Sequence, residues 1–517
     1  MTDVATAAAD DERITGDILK VAGVVVLGAI MSILDITVVN VALPTFETTF
    51  GSVGHPLAYS TVAWAVTGYT LALATVIPLT GWAADRFGTK RLYMTAVALF
   101  TIGSVLCAMA SSINMLISFR VLQGLGGGML MPLGMTIMTR AAGPKRMGRL
   151  MAILGVPMLL GPIGGPILGG WLIDTASWHW IFLINAPIGV VALVYALVVL
   201  PKDSPHPSES FDFIGMLMMS PGLALFLYGV SSIPAEGKVG TPKVLIPVLI
   251  GLALVIGFVF YSFKPKHPLL DLRLFRNRNL AISILTMFLF AVAFFGGLLL
   301  VPTYFQQIRG ESVLRAGLLV APQGIGAMIT MPIAGTLTDK FPVGRIVPFG
   351  LIFIAAGMFG LTQITSTTSY PALIALLFVM GLGMGGTMMP IMTSALKTLR
   401  TSEVARGSTL LNITQQIASS IGVAVMSVIL TNGLKSADRA YAAITARHDP
   451  QVAAKLGPDG IKVGLAHAAS AFAHTYWVAF ALVAVTVVAA AFLPRKREVA
   501  PLQDGDQADD AVPVIVH

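Results

Sequence analysis

A chain of 517 residues that is 56% hydrophobic and only 11% charged, with a mean hydropathy of +0.83, is far too apolar for a water-soluble enzyme, whose charged fraction runs near ~25%. Its 33 Lys and Arg outnumber its 25 Asp and Glu. The cations lie in short segments between apolar runs, which orients a membrane protein and does not build a nucleic-acid surface.

Apolar runs of roughly 20 residues, enough to cross a hydrocarbon core about 30 Å thick, recur from Val21 to Leu493. Fourteen spans are predicted: 20–43, 60–82, 92–110, 113–139, 148–173, 179–200, 212–232, 243–263, 279–305, 315–336, 346–364, 370–395, 405–430 and 471–493. The N-tail, 1–19, carries Asp3, Asp10, Asp11, Glu12 and Asp17, the wrong sign for a secretory signal, so the first run is expected to be a retained helix. The single Cys107 lies inside an apolar run and is read as packing. Placing both termini in the cytoplasm gives that side 23 Lys and Arg and the outer loops nine, with Arg120 inside a span. The expectation is a multi-pass protein of the cytoplasmic (inner) membrane with both ends inside. Trp64, Trp82, Trp171, Trp178, Trp180 and Trp477 fall near span ends, as interface anchors do.

An internal repeat runs through these spans. Pro44 and Pro302 close spans one and nine at an offset of 258, and Asp85 and Asp339 follow spans two and ten at 254. GLGGGMLMP (124–132) and GLGMGGTMMP (381–390) start 257 apart. Equal offsets at unrelated points predict two pseudo-symmetric six-helix halves, 20–200 and 266–494, with two inserted helices at 201–265 and tails at 1–19 and 495–517. The second half includes a long outer loop, 431–470.

Only two side chains of definite charge lie deep in spans, Asp35 and Arg120, at matching depths. Charge at depth costs several kcal/mol unless paired or wet, so the two are expected to meet and to carry function. Asp35 is the expected proton carrier, with Arg120 favouring its carboxylate and desolvation its acid. Gln123, one turn on, can bond the same site. The repeat equivalents are Ala293 and Leu377, so the charges are not duplicated. As the deepest carboxylate, Asp35 is expected to face the cavity and allow a neutral or singly charged cargo.

After span two, GWAADRFGTKR (81–91) offers a helix-ending Gly81, a capping Asp85, a turn at Gly88 and the cations Arg86, Lys90 and Arg91. These can latch the cytoplasmic mouth, or serve only as orienting positive charge. A partial copy with Asp339 occupies 335–345. Span five, GVPMLLGPIGGPILGG (155–170), should be a kinked, closely packed hinge. The 25 Met, with the runs around Met131 and Met388, are read either as packing or as a pliable cavity lining. Trp64, Tyr69, Met131, Gln323, Asn412 and Gln416 are the candidate cavity residues. No metal-binding, hydrolase or phosphate-loop motif is present, and no cofactor is expected beyond a proton gradient.

Together LDITVVNVALP (34–44), GWAADRFGTKR, RVLQGLGGG (120–128) and the span-five string resemble the signatures of the major facilitator superfamily. With fourteen spans they are similar to its drug:proton antiporter branch of the EmrB/QacA type; WHWIFLINAPIG (178–189) fits the same family. The resemblance implies an all-α polytopic fold with two six-helix halves plus two helices, and proton-coupled export of hydrophobic or amphipathic compounds by alternating access. It implies proton coupling at Asp35 and Arg120, a cytoplasmic gate at Gly81, Asp85, Arg86, Gly88, Lys90, Arg91 and Asp339, and an antiporter hinge at Gly155, Gly161, Pro162, Gly165 and Gly169. Partners would be the lipid bilayer, protons and small substrates, with a periplasmic adaptor contacting 431–470 in two-membrane cells. Relatives that export dications imply an extra acid in span ten, where this chain has Gln323. A dedicated exporter of an endogenous lipid, siderophore or metabolite fits the same residues. A non-transporting membrane sensor or assembly protein is a third reading, against which the intact Asp35 and Arg120 argue.

Overall fold

The computed structural model describes residues 16–51, 57, 59–142, 146–202, 210–236, 239–400, 403–437, 439–447 and 450–496. Among these, every regular element is helical. The long helices are α1 (Gly16–Thr49), α2 (Trp64–Phe87), α3 (Thr89–Ala108), α4 (Ile113–Ala142), α5 (Met147–Thr175), α6 (Trp180–Val199), α7 (Phe213–Glu236), α8 (Pro242–Tyr261), α9 (Arg278–Gln307), α10 (Val313–Lys340), α11 (Val343–Leu361), α12 (Tyr370–Lys397), α13 (Val404–Ser436) and α14 (Pro450–Ala490). Thirteen of the described helices are long and apolar enough to cross a membrane. The expected span 148–173 coincides with α5, where the side chains of 156–160, 162, 163 and 166, including Pro162, lie outside the described residues. Local chemistry sets several starts. Asn277 accepts from the backbone N–H of Asn279 and Leu280 at the head of α9, Ser312 accepts from that of Arg315 at the head of α10, and Pro242 opens α8.

The same neighbours recur in each half: α1 lies on α5 as α9 lies on α13, α4 on α2 as α12 on α10, and α3 on α6 as α11 on α14. Two crossed pairs join the halves, α5 with α10 and α2 with α13. The inserted α7 packs on α8 and rests on both α2 and α13, covering that seam from the side. Its Tyr228 stacks on Trp64 with ring centroids 5.6 Å apart. Both described ends of the chain lie on the face that carries loop 87–91. Gly23 sits beside Tyr195 near the end of α6, whose carbonyls receive Lys90, and the N–H of Gly344 donates to the carbonyl of Pro494 at 3.0 Å.

Four boundaries differ from expectation. Pro44 and Pro302 do not end α1 and α9, which run on to Thr49 and Gln307; proline forfeits one intrahelical bond, which neighbouring helices and nearby water offset. Gly81 lies inside α2, and Gly88, at φ 93°, ends it. α12 is interrupted at Gly386 and Thr387. Much of the expected loop 431–470 is helical: α13 reaches Ser436, a short helix spans Ala440–Thr445, and α14 starts at Pro450, kinked at Gly457 with φ 66°. Alanine is dense there, and its high helix propensity outweighs the low hydropathy that marked the segment as a loop.

Candidate functional site

Asp35 and Arg120 meet inside the first half, both side chains wholly buried. Arg120 Nη1 donates to Asp35 Oδ2 and, at 3.0 Å, to Gln123 Oε1, while Gln123 Nε2 donates to Asp35 Oδ1 at 2.8 Å. Arg120 Nε donates to the carbonyl of Ala65 on α2 at 2.9 Å. The guanidinium stands over the Tyr69 ring at 4.1 Å and near Phe182 at 5.8 Å. Removing one partner would strand a buried charge, at about 3–5 kcal/mol. α4 reaches this position because Gly124, Gly126 and Gly128 put its backbone against α2 and α3: a Cβ there would lie 2.5–2.6 Å from the Tyr69 carbonyl, the Phe100 nitrogen and the Leu73 carbonyl respectively. Tyr69 also meets Ser32 hydroxyl to hydroxyl at 3.3 Å. Cys107 donates to Gln123 Oε1 at 3.6 Å, so its packing place is against the charged cluster.

A cavity of about 270 Å³ lies between the halves. Ser32, Ile36, Thr37 and Met131 line it from the first half, and Phe294, Phe295, Gln323, Asn412, Gln415 and Gln416 from the second. Of the expected cavity residues, Met131, Gln323, Asn412 and Gln416 line it; Trp64 stacks on Tyr228, and Tyr69 is buried behind Ser32. Asp35 is not on the wall either: the charged cluster is one side-chain layer behind it. None of the described lining residues is ionisable. The opposite charges compensate each other within four hydrogen bonds from α1, α2 and α4, an arrangement that sequence position alone does not reveal. Phe294 and Phe295 on the wall were missed because their spacing matches any apolar membrane helix.

The halves close against each other on the face of loop 87–91. Asp85 pairs with Arg140 at 3.5 Å and across the seam with Arg406 at 3.7 Å. Asp339 reaches across the other seam, accepting from the backbone N–H of Gly148 at 2.9 Å and of Arg149 at 3.4 Å, and from Arg149 Nε at 3.1 Å. Asp339 thus caps the first turn of α5. Lys90 Nζ donates to the carbonyls of Leu197 and Leu200 at 2.7 and 2.6 Å, capping the end of α6. Arg86 and Arg91 are exposed on the same face. Gly81 faces α13, where a Cβ would lie 3.4 Å from the Ala405 carbonyl.

The glycines of α5 divide between two partners. Gly161, Gly165 and Gly169 face Ile33, Thr37 and Val38 of α1, whereas Gly155 faces Met331 and Met389 of the other half. Below them Gly148 and Gly335 touch backbone to backbone, and a Cβ on either would lie 2.4 or 2.7 Å from the other's carbonyl oxygen. That contact lies outside the glycine string read from sequence.

The Major Facilitator Superfamily family model matches residues 25–423. The chain is 47% identical over 502 residues, 94% of this chain and 92% of the relative, to the "Multidrug resistance protein B homolog" of Mycobacterium tuberculosis strain H37Rv. It is 32% identical over 420 residues, 78% and 79% of the two chains, to the "Multidrug export protein EmrB" of Escherichia coli K12. In fold it resembles the crystal structure of the human organic anion transporter MFSD10, with a TM-score of 0.59, 16% identity and coverage of 91% of this chain and all of that one. Matched along most of its length by the family model and sharing its helical architecture, the chain belongs to the major facilitator superfamily of membrane transporters.

Proposed function

We propose that this protein is a proton-coupled antiporter that exports hydrophobic and amphipathic compounds across the cytoplasmic membrane, with both ends of the chain in the cytoplasm. The observation that carries the reading is a buried Asp35–Arg120–Gln123 cluster packed on Tyr69, whose hydroxyl meets Ser32 on the wall of an apolar cavity between two halves. The bias of 23 Lys and Arg against nine supports the orientation, and the relatives' names support multidrug cargo.

On this reading the latched face is cytoplasmic and the cavity opens outward. Cargo leaves the cavity while a proton from outside reaches Asp35 and releases Arg120 from the carboxylate. The neutralised acid weakens the tie between α1 and α4, the halves rock, and the latch at Asp85 and Asp339 opens to admit new cargo. Loss of the proton inward re-forms the pair. One proton crossing 100 mV supplies about 2.3 kcal/mol, enough for a roughly fifty-fold gradient of a neutral solute.

Proteoliposomes loaded with fluorescent amphiphiles and given an imposed pH gradient test this reading. Gradient-driven transport should be abolished by carbonyl cyanide uncouplers. Transport that ignores the gradient would remove proton coupling.

A further inference from the structure

We infer that Gln323 is the anchor for the cargo, and that the cavity selects uncharged amphiphiles carrying an amide, ester or ketone group over cations. This rests on the export reading above and specifies its substrate class. Gln323 lines the cavity and is only 3% exposed, and neither its Oε1 nor its Nε2, both buried, has a hydrogen-bond partner. A carboxamide buried with its donor and its acceptor both unused is costly unless something enters to bond them. The other polar lining groups are differently engaged. Asn412 donates to the carbonyl of Ser408 at 2.8 Å and contacts the Met135 sulfur at 3.2 Å. Ser32 is tied to Tyr69, and Thr37 donates to the carbonyl of Leu34 at 2.9 Å. Gln415 and Gln416 are only half-buried.

The backbone holds Gln323 in place. A Cβ at Gly381 of α12 would lie 1.9 Å from the Gln323 carbonyl oxygen, so the two helices are in direct contact there and the amide is carried on a fixed wall. Charge argues against a cationic ligand. The described wall has no ionisable side chain, and Asp35 is already compensated by Arg120 behind it. A cation would be desolvated with amide oxygens and the Phe294 and Phe295 rings around it but no carboxylate on the described wall to neutralise it. A neutral carbonyl compound instead accepts from Nε2, and a cargo N–H or O–H donates to Oε1. A site built to bond such a group discriminates against an isostere lacking it, since the protein amide is then left unpaired.

The test is equilibrium binding to the full chain in nanodiscs without any gradient. Three matched probes are used: an amphiphilic amide, its hydrocarbon isostere and its quaternary ammonium counterpart. The wild type should prefer the amide to each of the others by about tenfold. Gln323→Leu should bring amide and isostere within about twofold while keeping the affinity for the isostere, which reports that the cavity is intact. Gln323→Met serves the same purpose where Leu impairs folding. Gln323→Glu should reverse the preference toward the quaternary compound. A wild type that binds the quaternary probe best, or a Gln323→Leu or Gln323→Met protein that keeps the amide preference, overturns the inference. Because binding is measured without a gradient, loss of the anchor reads out separately from loss of proton coupling.

Discussion

The two halves put different chemistry on one repeated backbone. At equivalent places on α1 and α9 stand Asp35 and Ala293, and on α4 and α12 Arg120 and Leu377, all buried. The first half holds its charges behind the cavity wall. The second contributes the wall's amides Gln323, Asn412, Gln415 and Gln416 and its two phenylalanines. The repeat keeps equivalent helix contacts in both halves while each half carries its own polar groups. Coupling and cargo recognition are therefore expected to be separable by mutation.

The largest effect should come from Asp35→Asn. The substitution mimics the protonated acid and leaves the Gln123 contact available, so the protein should insert, bind cargo and exchange it passively. Accumulation against a gradient should fall to the background of empty liposomes, since the side chain can neither load nor release a proton. Undiminished uphill transport by this variant would place coupling elsewhere, and the division between halves would have to be redrawn.

A smaller but still severe effect is expected at the seams, which differ in tightness. Gly335→Leu puts a side chain where a Cβ already lies 2.7 Å from the Gly148 carbonyl oxygen, whereas at Gly81 the nearest α13 atoms are 3.1–3.4 Å away. The α5–α10 seam should refuse to close, and the α2–α13 seam should yield with small shifts. Turnover should drop by more than tenfold in Gly335→Leu and by about threefold in Gly81→Ala, the factors expected of roughly 1.5 and 0.7 kcal/mol on the closed state. In a Cys107→Ser background, a cysteine placed at Asn412 should become reactive to impermeant thiol reagents from the latched face only in Gly335→Leu. Equal accessibility in both variants would mean that the glycine contact does not set closure.

Much of this was legible beforehand because burial of charge in a membrane is expensive enough to announce itself. Asp35 and Arg120 could be paired from depth alone, and the three equal offsets exposed the repeat. Other features were hidden for physical reasons. Whether Asp35 faces the cavity depends on the rotation of α1, which a uniformly apolar helix does not encode in its pattern. The same lack of periodicity hid Phe294 and Phe295. Gly148 and Gly335 sit at helix ends where glycine ordinarily reads as a boundary. Segment 431–470 reads as a loop because hydropathy marks membrane depth and says little about helicity outside it.

The smallest effects should separate the two copies of the loop acid. Asp339 holds two backbone N–H groups at the start of α5 as well as Arg149, and such capping is worth about 1–2 kcal/mol. Asp85 contacts Arg140 and Arg406 at 3.5 and 3.7 Å in a partly wetted setting, where each pair contributes about 0–1 kcal/mol. Both residues are away from the cavity wall, so their loss should act on the conformational equilibrium and leave affinity for cargo nearly unchanged. Asp339→Ala should therefore lower the maximal transport rate by about five- to tenfold and Asp85→Ala by about two- to threefold, with half-saturating cargo concentrations within a factor of ~2 of wild type. Raised salt should blunt the Asp85 effect more, because partly wetted ion pairs are screened more than a carboxylate bonded to buried backbone. If Asp85→Ala proved the more damaging, the α2–α13 seam would be the principal lock. The direct backbone contact of α5 with α10 would then be a consequence of closure, and the order of tightness drawn from the glycines would be reversed.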